Sequence, residues 1–162
     1  MLILNTGGTF NKRYNTLSGE MEVPFDNAAV EKILSTFTYE VELAGLIYKD
    51  SLDMDADDRK MIAKIIAAST DTHFIIIHGT DTMHLTAAFL DEVMEDKVII
   101  CTGAMVPFEI DPVEATANLA MALGFAKVQQ EPGVYICMQG CVAEHKRVVK
   151  NKVLGKFELV EG

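Results

Sequence analysis

Short apolar runs closed by glycine recur along the chain and alternate with stretches of helical spacing. "HFIIIHG" (73–79), "KVIICTG" (97–103) and "GVYICMQG" (133–140) are rich in β-branched residues and show no polar face, the pattern of strands buried on both sides. The opening Met1-Leu2-Ile3-Leu4 and the less regular "YEVELAGLIY" (39–48) predict two further strands. Between them, "DNAAVEKILSTF" predicts a helix capped by Asp26, with Val30, Ile33 and Leu34 facing inward. "DADDRKMIAKIIAAS" carries acids in its first turn and then Met61, Ile62, Ile65 and Ile66 on one face. "TAAFLDEVMED" and "PVEATANLAMALGFAKVQ" complete the helices, the second with Pro112 at its start, where proline is tolerated.

Strand–helix alternation of this kind implies right-handed crossovers and a largely parallel sheet covered on both faces. The expected fold is a three-layer α-β-α sandwich. With no repeat, low-complexity tract or linker, residues 1–162 are expected to form a single domain. Such sheets hold their sites at the carboxyl ends of the strands. "NTGGTF" (5–10), "DSLDM" (50–54), "HGTDTM" (78–83) and "TGAMVP" (102–107) all follow expected strands, so these loops are expected to converge.

Composition narrows the partners. The 162 residues are 49% hydrophobic and 23% charged, which is ordinary for a globular protein. A net charge of −10 repels nucleic acid and anionic membranes, and leaves a small zwitterionic ligand open. No apolar run approaches the ~20 residues of a membrane span, and the N-terminus lacks the basic region and cleavage site of a signal peptide. Cys101, Cys137 and Cys141 are odd in number and fit a reduced, cytoplasmic setting. A Cys-x3-Cys pair at 137 and 141 without a second pair makes no zinc site, so no metal or organic cofactor is expected.

Each polar loop carries an ordinary structural reading beside a chemical one. In "TGGT", Thr6 and Thr9 suit a glycine turn as capping residues, or one of them is a nucleophile. The sequence has neither the dinucleotide glycine fingerprint nor a phosphate loop. In "HGTDTM", Asp81 or Thr82 suits a simple helix cap, while Thr80 and Asp81 would face a pocket lined by free helix N–H groups. His78 reads as a packed strand-end histidine, and His73, His84 and His145 show no ligand spacing. Lys146, Arg147, Lys150 and Lys152 form a basic cluster that is either a solvated face or the source of one inward proton acceptor.

Taken in order, "ILNTGGTF", "DSLDM", "HGTDTMHLTAAFL", "TGAMVP…NLAMAL" and "GVYICMQG…VVK" resemble the N-terminal catalytic domain of the bacterial-type L-asparaginase family. The resemblance implies hydrolysis of a side-chain amide of L-asparagine through a threonine acyl-enzyme. It assigns Thr9 as nucleophile, Thr80 as the second catalytic threonine, Asp81 as its charged partner and Lys150 as the lysine activating Thr80. Ser51 would bind the substrate's α-carboxylate and Asp81 its α-ammonium; the Ala104 carbonyl and the backbones of Gly8 and Gly79 would line the same pocket. Tyr14 takes the place of the family's loop tyrosine, or is a surface aromatic. Three departures stand out. The family's C-terminal domain is expected to be absent, Val106 and Glu114 replace polar family residues, and Leu52 replaces a polar substrate contact, leaving asparagine against glutamine open. The implied assembly is a homo-oligomer. The alternatives are a glutaminase or ammonia-supplying subunit, and a non-catalytic amino-acid-binding domain.

Overall fold

The computed structural model describes residues 1–161. In chain order it holds β1 (Leu2–Gly7), β2 (Arg13–Asn15), β3 (Glu20–Glu22), α1 (Ala28–Leu34), β4 (Glu42–Lys49), α2 (Ala56–Ala68), β5 (His73–Ile77) and α3 (Met83–Val93). These are followed by β6 (Val98–Thr102), α4 (Pro112–Val128), β7 (Gly133–Met138), β8 (Cys141–Glu144), β9 (Val148–Asn151) and β10 (Lys156–Leu159).

Six strands form the central sheet in the order β4-β1-β5-β6-β7-β8, parallel except for the edge strand β8. Side-chain alternation along these strands builds two cores. Leu4, Phe74, Ile76, Ile99 and Ile136 pack with Ile62 and Ile66 of α2 and Ala87 and Leu90 of α3. Ile3, Ile75, Ile77, Ile100 and Cys137 pack with Val30 and Ile33 of α1 and Leu119 and Leu123 of α4. Helices therefore cover both faces, and the three-layer α-β-α architecture holds. The uninterrupted apolar runs are explained, since every residue of Phe74–Ile77 is fully buried.

The chain leaves β1 toward β4 on one side and returns to β5 on the other. The strand order thus reverses between β1 and β5, and a crevice opens at their carboxyl ends, where open α/β sheets bind ligands.

The helices depart from the sequence reading in three places, two at their starts and one in the phase of the buried face. Asn27 occupies the cap position of α1, while Asp26, one residue earlier, accepts the Ala28 N–H through Oδ1 at 3.0 Å. The inner face of α2 is Ile62, Ala63 and Ile66; Met61 and Ile65 are 46% and 37% exposed. The difference is one of phase: 62, 63 and 66 share one helical stripe, and 61 and 65 flank it. α3 begins at Met83, before Thr86, because the turn at 80–82 runs straight into it. The hairpins β2–β3 and β9–β10 were not expected. Their strands of three or four residues are too short to impose a hydrophobic period.

Candidate active site at the sheet reversal

Glycines bring the loops together. Gly8 has φ +73, and a Cβ there would stand 2.4 Å from Gly79 Cα. A Cβ at Gly79 would stand 2.5 Å from Ser51 Cβ. The loops after β1 and β5 therefore meet backbone to backbone, the β5 loop lies against the Ser51 side chain after β4, and only glycines at these two positions permit it. Gly8→Ala is expected to cost about 3 kcal/mol, from a left-handed backbone plus overpacking, and to lower Tm by about 10 °C in a thermal melt. The Gly8 N–H donates to the Lys49 carbonyl at 2.8 Å, so Gly8 serves the site by its missing side chain and its amide is already engaged.

Thr9 and Thr80 each lie one residue beyond this glycine contact. Thr9 is half-buried in a short 3-10 turn (Thr9–Asn11), and its hydroxyl has no hydrogen-bond partner among the described residues. Thr6 is fully buried, and its Oγ1 donates to the Ile77 carbonyl at 2.8 Å, joining the ends of β1 and β5. The two threonines of "TGGT" thus divide: one ties the ends of β1 and β5 together, and the other keeps an unbonded hydroxyl among the described residues.

Thr80 is 5% exposed. Lys150, brought in by β9, donates from Nζ to Thr80 Oγ1 at 2.8 Å and to Asp81 Oδ1 at 2.8 Å. Its side chain is 14% exposed. Of the basic cluster, this lysine alone joins the trio. Lys146 pairs with Asp91 on the surface, and Arg147 and Lys152 are exposed. A cavity of about 410 Å³ lined in part by Asp81, His84, Val149 and Lys150 adjoins it.

Thr82 occupies the cap position of α3, but its side chain makes no cap hydrogen bond; Oγ1 donates instead to the Ser51 carbonyl at 2.7 Å. Neither Asp81 nor Thr82 is a simple cap, since one holds Lys150 and the other ties the third loop to the second. Ser51 is 2% exposed, and Ala104, in the loop after β6, is fully buried. Leu52 is 72% exposed. Tyr14 sits on β2, 58% exposed, with its N–H on Glu109 Oε2, and no hydrogen bond joins it to Thr9.

Several supporting residues escaped the sequence reading. Asn5 Nδ2 donates to Asn11 Oδ1 and Asn27 Oδ1, and Asn11 Nδ2 returns a bond to Asn5 Oδ1, bracing the loop that carries Thr9. Asn118 Nδ2 holds the Gly103 carbonyl, and Glu114 Oε2 accepts the Met105 and Val106 N–H groups, bracing the loop that carries Ala104. The available signal was polar type in an apolar setting: Asn118 lies on the stripe shared by Ala115, Leu119 and Ala122.

His78 is fully buried, and burial pushes its imidazole down to about 4, so the ring is neutral at pH 7. The unfolded chain binds a proton near 6.5 that the folded chain refuses, so this contribution is whole above pH 6.5 and lost as pH falls toward 4. A loss of about 3 kcal/mol over that window is expected from urea unfolding, largely removed in His78→Asn. His84, lowered by partial burial and by Lys152, adds with the same sign. Asp71 and Asp91 are held below the usual carboxylate range, chiefly by the N-terminal ammonium and by Lys146, and lose their share only at lower pH.

Among the described residues no cluster of three or more His, Cys, Asp or Glu is placed to hold a metal, and no helix is long and apolar enough to cross a membrane.

Comparison with known proteins places this arrangement. The family model "Asparaginase, N-terminal" matches residues 1–155. The chain is 26% identical over 160 residues to the L-asparaginase of Thermococcus kodakarensis, covering 96% of this chain and 48% of that protein. It is 29% identical over 149 residues to a glutamyl-tRNA(Gln) amidotransferase subunit of Methanococcus maripaludis, covering 85% and 34%. The solved thermostable L-asparaginase from T. kodakarensis superposes with a TM-score of 0.84 at 24% identity, over 98% of this chain and 50% of that one. A probable cytoplasmic L-asparaginase from Campylobacter jejuni gives 0.77 at 24% identity, over 98% and 52%. The chain thus spans about half the length of these relatives or less. With the family's N-terminal domain matched along nearly the whole chain, this protein belongs to the asparaginase family.

Proposed function

We propose that this chain is the catalytic domain of an L-asparagine amidohydrolase that works through a Thr9 acyl-enzyme. The observation that carries the reading is Lys150 Nζ shared between Thr80 Oγ1 and Asp81 Oδ1, one loop away from the open hydroxyl of Thr9. A threonine hydroxyl attacks an amide only when its proton has somewhere to go, and a lysine–threonine pair is such a path.

In this reading Thr9 Oγ1 adds to the side-chain carbonyl carbon of the substrate. Its proton passes through the Thr80 hydroxyl and Lys150 to the amide nitrogen, which leaves as ammonia. Water then adds to the ester, its proton returns by the same path to Thr9 Oγ1, and aspartate departs. The N–H groups of Thr9 and Thr80 have no acceptor among the described residues and suit the developing oxyanion, each worth about 3 kcal/mol of barrier. Asp81 Oδ atoms receive the α-ammonium, and the Ser51 hydroxyl, beside Gly79, receives the α-carboxylate. The Ala104 carbonyl lines the amide end, and Tyr14 reaches the substrate only if β2–β3 folds inward. No step needs a metal or cofactor. Three free cysteines accord with a reducing, cytoplasmic setting, and assembly into a homo-oligomer would cover the open side of the crevice.

The test is ammonia release by the purified chain from L-asparagine and, separately, L-glutamine. Turnover of asparagine well above glutamine supports the reading, and binding of aspartate with no turnover of either removes it. Glutamine preference favours an ammonia-supplying subunit, the reading that the likeness to an amidotransferase component keeps in view.

A further inference from the structure

We propose that His78 is a positioning residue, which holds the Gly79–Thr80 peptide so that the Thr80 N–H faces the reacting carbonyl. The proposal rests on the amidohydrolase reading above.

The direction of each hydrogen bond follows from what its partner is able to do. His78 Nδ1 lies 2.8 Å from the Gly79 carbonyl oxygen, which only accepts, so Nδ1 carries the proton. A neutral imidazole has one N–H, so Nε2 is an acceptor; beside it lie Thr86 Oγ1 at 2.8 Å and Met54 Sδ at 3.0 Å, and of these only the hydroxyl has a proton to give. Thr86 therefore donates its proton to Nε2. The Thr86 oxygen in turn accepts Arg59 Nε–H at 3.2 Å. Arg59 is anchored at its other end, donating to the Met54 carbonyl at 3.3 Å. One unidirectional chain thus runs from α2 through α3 to the loop after β5: Arg59 to Thr86 to His78 to the Gly79 carbonyl. Burial keeps the ring neutral, which this order requires.

A trans peptide sets its N–H opposite its C=O. With the Gly79 carbonyl held inward on His78, the Thr80 N–H points away from the core, and among the described residues no acceptor meets it. Without the chain, an Nε2–H tautomer would present a lone pair to the Gly79 carbonyl, and the peptide would be free to turn. A donor fixed before the reaction is worth more than one that must be oriented during it.

Thr86→Val tests this. Long-range proton–nitrogen NMR is expected to find His78 as the Nδ1–H tautomer in the parent and as a mixture in the variant, with the Thr80 amide resonance displaced. kcat for asparagine is expected to fall about 10-fold with KM within about twofold, and Thr86→Ser, which restores the hydroxyl, to recover both. A Thr86→Val protein that keeps the tautomer overturns the proposal, as does one that loses it with the Thr80 amide and kcat unmoved. If Thr86→Val fails to fold, His78→Asn, which keeps a donor near the Nδ1 position, is expected to hold kcat within about threefold, and His78→Leu to lose about 10-fold; equal losses overturn the proposal. If the parent chain hydrolyses no amide, the amidohydrolase reading fails by itself, and the tautomer and the Thr80 amide still decide whether His78 sets the peptide.

Discussion

Thr9→Ala is expected to fold like the parent and to release ammonia from L-asparagine about 10⁴-fold more slowly or worse. The two halves of this expectation have separate causes. Folding survives because the Thr9 side chain bonds to nothing among the described residues. The turn is held by backbone, through the Asn11 N–H on the Gly8 carbonyl and the Lys12 N–H on the Thr9 carbonyl, and by fully buried Phe10. Turnover collapses because the attacking oxygen is gone and the neighbouring threonines are engaged, Thr6 with the Ile77 carbonyl and Thr80 with Lys150. Thr9→Ser keeps the oxygen and is expected to retain measurable turnover. Unchanged ammonia release by a purified Thr9→Ala protein, checked by mass spectrometry for identity, would remove Thr9 from the reaction.

Lys150→Met is expected to lower kcat about 10³-fold, the size of a general acid–base contribution. Methionine is unbranched and close in length, so the packing of β9 against β10, where Lys150 pairs with Phe157, has no reason to change. Asp81, 39% exposed, is able to take water in place of the lost ammonium, which keeps the stability cost near that of a surface pair, about 1 kcal/mol. The proton path is what disappears, because Thr80 Oγ1 is left without its partner. Asp81→Asn combined with Lys150→Met is expected to cost far less than the two single losses multiplied, since the three groups act as a unit. Multiplicative losses would show that Lys150 and Asp81 serve separate steps.

Much of the architecture could be read along the chain, for a reason visible in particular residues. Phe74–Ile77 and Val98–Cys101 are apolar at every position because both sheet faces are covered, so continuous hydrophobicity and a closing glycine suffice to mark them. The helix over Pro112–Val128 announces itself by length, a proline at its first position and Asp111 before it, whose side chain accepts the Val113 N–H. Where pattern failed, the element was short or its phase ambiguous. Four neighbouring apolar residues in α2 admit more than one inner stripe, and packing against β1 and β5 selected 62 and 66. The three- and four-residue strands of the hairpins carry too few positions for any period to register.

Local residue order by itself dictates the strand–helix alternation, the parallel sheet and the glycine turns at strand ends, because those follow from periodicity, backbone freedom and short-range hydrogen bonding. Which of four basic side chains turns inward, which threonine stays free, and which way the Gly79–Thr80 peptide faces were decided only in three dimensions. The first two depend on partners 70 or so positions away, Lys150 with Thr80 and Thr6 with Ile77, and the third on Arg59, Thr86 and His78, which three different elements bring together. A hydrogen bond's direction is a property of both atoms that share it, and one stretch of chain names only one of them.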